Sequence, residues 1–110
     1  MNRRLMLIVA LAGMIGASFA PAAAPSGGKR YAVEIKDLKY VPTKLTIKAG
    51  DTVVWTNKDD NDHTVIASDD SFKSDKLGNG ESYKFTFSKT GTFKYGCSYH
   101  PRMKGTITVE

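Results

Sequence analysis

Residues 81–98 read ESYKFTFSKTGTFKYGCS, and the spacing of the aromatic rings in them decides the fold class. Tyr83, Phe85 and Phe87 alternate with Lys84, Thr86 and Ser88, and Phe93, Tyr95 and Cys97 alternate again after the turn residues Thr90 and Gly91. A period of two places one set of side chains on a buried face and the other in solvent, which is a strand pattern and not a helical one. The thiol of Cys97 falls on the same face as Phe93 and Tyr95.

Working upstream, Asn79-Gly80 favours a tight turn, and residues 68–78 carry no period, so they form a long connection that adds Phe72 and Leu77 to the core. His63, Val65 and Ala67 share one face of a short strand, preceded by the polar stretch Asn57 to Asp62. Val53 and Trp55 point inward after the turn Ala49-Gly50-Asp51. Leu45 and Ile47 form the strand before it, and Pro42 ends a first run in which Tyr31, Val33 and Ile35 share a face that Leu38 and Tyr40 extend. Downstream, a last strand from Thr106 to Val109 turns Ile107 and Val109 inward. Seven or so short strands without a helical stripe predict an all-β protein, a Greek-key antiparallel β-sandwich. An immunoglobulin-like domain would want a second cysteine for its bridge between sheets, and the chain has one.

The chain has 110 residues and its start is not fold. Arg3 and Arg4 precede an apolar stretch from Leu5 to Ala20, and both Ser18-Phe19-Ala20 and Ala22-Ala23-Ala24 fit a small-residue cleavage site. Residues 1–24 therefore read as a signal peptide cleaved after Ala20 or Ala24, too short in its apolar part to span a bilayer stably. The paired arginines leave Sec and twin-arginine export both open. Residues 25–30 read as a flexible leader and 31–110 as one domain, which predicts a periplasmic monomer without stable membrane insertion. A mature chain of 90 or 86 residues buries a small core, and a lone cysteine in an oxidising compartment needs burial or an occupant. The formal net charge of +5 includes Arg3 and Arg4 and is +3 without them; the lysines are scattered over strand faces, which argues against nucleic-acid binding.

Past residue 24 the chain holds one Cys, two His and one Met, and three of these four lie in Cys97-Ser98-Tyr99-His100-Pro101-Arg102-Met103, a C-x2-H-x2-M loop between two strands. The fourth, His63, lies 34 residues before Cys97. Each has an ordinary explanation alone: an inert thiol, loop histidines, a gap-filling methionine. Together a thiolate, two imidazoles and a thioether are the soft and borderline donors of a trigonal His2Cys plane with a weak axial Met, the type 1 copper arrangement. Zinc gains little from the thioether, and hydrolytic zinc sites keep a water position. The predicted metal ligands are His63, Cys97, His100 and Met103, around one copper cycling between Cu(I) and Cu(II).

Tyr40-x-Pro42, residues 50–57 (GDTVVWTN), Asp62-His63-Thr64-Val65, residues 91–97 (GTFKYGC) and the C-x2-H-x2-M loop together resemble the small blue copper proteins of the cupredoxin family, plastocyanin-like in motif order and amicyanin-like in loop length. The resemblance covers Tyr31 to Glu110. It implies copper under one end of a sandwich, with His100 as the solvent-edge ligand through which electrons leave. Many relatives have Asn after the first His; this chain has Thr64, whose hydroxyl would have to tie the ligand loops together. The implied function is electron transport by a periplasmic one-electron carrier, with a periplasmic copper-binding carrier or storage protein as the alternative. No nucleophile with a base and no paired carboxylates suggest catalysis, so no catalytic residue is predicted and the chain is read as a non-enzyme. Its partners would be proteins, a cytochrome or a dehydrogenase or oxidase, docking around His100 on an apolar patch of Tyr99, Pro101 and Pro42 rimmed by Arg102 and Lys104. Asp59, Asp60 and Asp62 lack the Gly and Glu of an EF-hand and read as a solvated turn.

Overall fold

The computed structural model describes residues 28–110, so the expected signal peptide, residues 1–24, and half of the expected leader, residues 25–27, lie outside the described residues. Among the described residues there are eight strands and no helix: β1 (Arg30–Lys36), β2 (Lys39–Val41), β3 (Lys44–Ile47), β4 (Thr52–Asn57), β5 (Ile66–Ala67), β6 (Ser82–Thr86), β7 (Gly91–Gly96) and β8 (Lys104–Val109). They form two four-stranded sheets, ordered β2-β1-β4-β6 and β3-β8-β7-β5. Neighbours close in sequence pair antiparallel, as β7 with β8. Two pairs are parallel: Arg30 to Thr52 through Ile35 to Asn57 between β1 and β4, and Thr106 to Lys44 through Val109 to Ile47 between β8 and β3.

The alternation read from the sequence sorts the side chains as expected. Val33, Ile35, Val53 and Trp55 are fully buried on one sheet, and they face Ile47, Tyr95, Ile107 and Val109 on the other. Trp55 is the hub, its ring centre 5.6 Å from Phe72, 5.7 Å from Tyr83 and 5.4 Å from Tyr95. Phe72 and Leu77 join the core from the long connection. Such aromatic packing suits a small domain, because each ring removes a large apolar area from water. At Gly105 the ring of Tyr95, its partner on the neighbouring strand β7, lies over the backbone so closely that a Cβ would overlap it, so glycine is a packing requirement there.

Two expectations need correction. Leu38 does not extend the apolar face of β1: Asp37 and Leu38 both adopt positive φ, 54° and 59°, and the turn they make leaves Leu38 45% exposed while Tyr40 is buried on a separate strand. The left-handed region is unusual for leucine, and the turn is held by a carboxylate described below. His63 is not on a strand with Val65 and Ala67 either. Only Ile66 and Ala67 pair, with Gly96 and Tyr95, while His63 is fixed by an isolated bridge to Leu77.

Candidate metal centre

The end of β7 delivers Cys97 and the start of β8 receives Met103, so the intervening loop closes between two paired strands. The Met103 amide donates to the His100 carbonyl at 2.9 Å, which tightens that loop into a turn. Gly96 permits the close passage, since a Cβ there would lie 2.9 Å from the Met103 carbonyl oxygen. His63 approaches from the opposite sheet's connection. Its backbone exchanges two hydrogen bonds with Leu77, at 3.0 and 2.8 Å.

The sulfur of Cys97 stands 3.7 Å from Nδ1 of His63 and 3.7 Å from Nδ1 of His100, and the three donor atoms lie within 4.8 Å of one another. Metal–nitrogen and metal–thiolate bonds of about 2.0 and 2.3 Å, opened to about 120° in a trigonal plane, separate N from S by about 3.7 Å. The donors therefore fit a single small ion between them. Met103 is 3% exposed at the same end of the fold, His63 0% and Cys97 7%, while His100 is only half-buried. Burial by itself would raise the Cys97 thiol, but the amide of Thr64, the two imidazoles and the amide of Tyr99 outweigh it and bring the pKa down to about 6. The thiolate, the form that binds metal, is then available at neutral pH.

Thr64 ties the loops as its position required. Its hydroxyl oxygen accepts the Ser98 amide at 2.8 Å and meets the Ser98 hydroxyl at 3.1 Å, and the buried Tyr40 hydroxyl donates to the Thr64 carbonyl at 2.7 Å. Around His100, Leu38, Tyr99, Pro101, Arg102 and Met103 line a shallow groove. Leu38 takes the place expected of Pro42, which is exposed but not part of that lining, and Tyr99 is 52% exposed.

The reading of Asp59, Asp60 and Asp62 as a solvated turn holds for Asp60 and Asp62, both exposed, and fails for Asp59. Its Oδ2 lies 2.8 Å from His63 Nε2 and accepts the Leu38 amide at 3.0 Å, while its Oδ1 accepts the Asp37 amide at 2.7 Å. These donors, the Leu38 amide foremost and His63 next, outweigh the effect of burial and hold the Asp59 carboxyl below its ordinary range. Asn57, fully buried, orders the same loop: its amide group donates to the carbonyls of Asn61 and Leu77, both at 2.8 Å, and its Oδ1 accepts the Asp59 amide at 2.8 Å. The i, i+4 spacing of Asp59 and His63 was visible in sequence, but in an aperiodic loop it implies no contact.

A sequence model described as "Cupredoxin-like domain" matches residues 5–109. The chain is 36% identical over 83 residues to amicyanin of Paracoccus versutus, a match covering 71% of this chain and 63% of that protein, so it spans less than two thirds of that relative's length. It is 35% identical over 100 residues to amicyanin-alpha of Methylorubrum extorquens, covering 86% of this chain and 82% of the relative. Among solved structures, a purple cupredoxin from Nitrosopumilus maritimus superposes with a TM-score of 0.69 at 31% identity, over 73% of this chain and 99% of that one. A donor set suited to one type 1 copper, set between the ends of two packed sheets, thus coincides with a sequence match across nearly the whole length, and the chain belongs to the cupredoxins.

Proposed function

We propose that His63, Cys97, His100 and Met103 hold the copper and that the protein is a periplasmic one-electron carrier, exported by a signal peptide in residues 1–24. The observation that carries this reading is the convergence of the Cys97 sulfur on both Nδ1 atoms at 3.7 Å, with Met103 buried beside them. Copper bound there supplies a single electron by cycling between Cu(I) and Cu(II). The chain's own part is to keep the donors where they already stand. Strand ends and the Thr64–Ser98 link hold the plane, so little reorganises when the charge changes, and a small reorganisation lowers the barrier to transfer. Burial of three of the four side chains favours retention of the metal over its delivery, and so a carrier of electrons over a courier of copper.

His100 is the contact point for a redox protein, because it alone of the four reaches the surface and is ringed by Leu38, Tyr99 and Pro101. Arg102 and Lys104, both exposed, put positive charge at the rim and suit a partner with acidic residues around its own site. The reading is tested by adding one equivalent of Cu(II) to the purified apoprotein. An intense thiolate-to-copper band in the visible is expected from the wild type and none from Cys97→Ser; a colourless wild type under non-reducing conditions would reject the assignment.

A further inference from the structure

We propose that Asp59 is a positioning residue that couples the buried ligand His63 to the exposed turn Asp37–Leu38, joining the metal site and the docking surface through one carboxylate. The inference rests on the reading of His63 as a ligand and adds a residue to which nothing so far gives a role.

Three hydrogen bonds meet on the Asp59 carboxylate. For His63 to offer Nδ1 to a metal, that nitrogen must be unprotonated, so the ring proton sits on Nε2 and is donated to Asp59 Oδ2 at 2.8 Å. The two remaining contacts, from the amides of Asp37 and Leu38 at 2.7 and 3.0 Å, come from a turn some 20 residues upstream in a different part of the chain. Both turn residues carry positive φ, a conformation with an intrinsic cost for side chains such as these, and the carboxylate stabilises it. The result of that conformation is the exposure of Leu38 beside His100, in the groove read above as the docking patch. Asp59 itself is held from behind: its amide donates to Asn57, and its carbonyl accepts the Asn79 side chain at 3.0 Å. A carboxylate clamped in this way has one orientation to offer, and the imidazole and the turn share it.

Two consequences follow. A carboxylate on the far nitrogen makes the imidazole a stronger donor, which favours Cu(II) over Cu(I) and lowers the potential. The same group presents Leu38, so a single substitution should alter both the redox equilibrium and the docking turn. Neither effect is expected of Asp60, which carries the same charge one residue away, is exposed, and makes no side-chain hydrogen bond to His63.

The test compares wild type, Asp59→Asn and Asp60→Asn, each loaded with copper. In Asp59→Asn one face of the amide must confront a donor, so Cu(II) binding relative to Cu(I) should weaken about tenfold, a rise of about 59 mV in the one-electron potential. In the same variant, loaded with Cu(I), the Asp37 and Leu38 amides should exchange with solvent about tenfold faster, as when a hydrogen bond to a charged group is lost. Asp60→Asn should leave exchange unchanged and shift the potential far less. Equal shifts from the two variants would reduce the effect to net charge and overturn the proposal. So would faster amide exchange in Asp59→Asn with an unmoved potential, which would make Asp59 a cap for the turn alone. Should Asp59→Asn not fold, the Cu(I) wild type still decides: the His63 Nε2 proton must give a slowly exchanging proton resonance, and its free exchange with water rejects the coupling. A wild type without the thiolate band would overturn the ligand reading and this inference together, whereas a normal band with an unmoved potential overturns the inference alone.

Discussion

His63 and His100 have ring centres 4.9 Å apart and face the same sulfur at the same distance, yet their surroundings are opposite. The arm that carries His63, from Asn57 to Val65, is fixed by hydrogen bonds at nearly every step: Asn57 to Asn61 and Leu77, Asp59 to the β1–β2 turn, His63 to Leu77, Val65 to Ser74. The loop that carries His100 has one backbone bond across it, from Met103 to His100, and leaves Tyr99, Pro101 and Arg102 exposed. One side of the site supplies rigidity and the other supplies access. The proposed electron carrier needs both, and an all-buried site would hold its geometry at the expense of contact with a partner.

The sharpest way to break this comparison is to remove each imidazole in turn. His63→Gly and His100→Gly should both lose the thiolate band with Cu(II). Free imidazole should restore it in His100→Gly, where the gap opens on the surface, and fail to restore it in His63→Gly, where the gap is enclosed and the partners of the ring are orphaned. Equal rescue in visible titrations would show that the buried arm is no more closed than the loop.

The next effect concerns stability. Asn57→Ala removes the donors to the carbonyls of Asn61 and Leu77, the latter keeping the His63 amide, and the acceptor of the Asp59 amide, and at about 1 kcal/mol for each hydrogen bond lost it should cost about 3 kcal/mol. Tyr99→Ala, in the exposed loop, should cost about 0.5 kcal/mol or less. Urea denaturation of the two apoproteins checks the contrast, and similar midpoints would remove it. A third effect lies at the seam between the regions. Thr64→Val keeps the shape but deprives the Ser98 amide of its acceptor, for a loss of about 1 kcal/mol. A displaced thiolate band should accompany it; an unchanged band and melting temperature would mean that arm and loop are held independently.

How much of this was legible beforehand divides along the same line. The strands could be read because alternation reports burial directly: Val53 with Trp55, and Phe93 with Tyr95, face the core as their spacing requires. The donor set could be read because the chemistry lies in residue types, and the C-x2-H-x2-M loop is local in sequence. Asp59 could not, since its partners at Asp37, Leu38 and His63 belong to segments whose meeting depends on the finished sandwich. Leu38 failed for the same reason: apolar periodicity placed it inward, and a carboxylate 21 residues away turned it out. The split of the His63 strand into a bridge and a two-residue strand reflects competition from Leu77, which the aperiodic stretch 68–78 gave no reason to expect.

The central position of β8 bears on the order of events during folding. β8 joins β3, some sixty residues earlier, to β7, so the sheet that presents Cys97 stays open until the last strand arrives. Pairings of such long range make all-β domains slow, on the order of milliseconds to seconds. Until then Cys97 and Met103 hang on an unclosed hairpin without the packing that fixes their separation. Maturation of the metal site therefore belongs to the end of folding, and the lone thiol is most vulnerable to oxidation in the interval before the sheet closes.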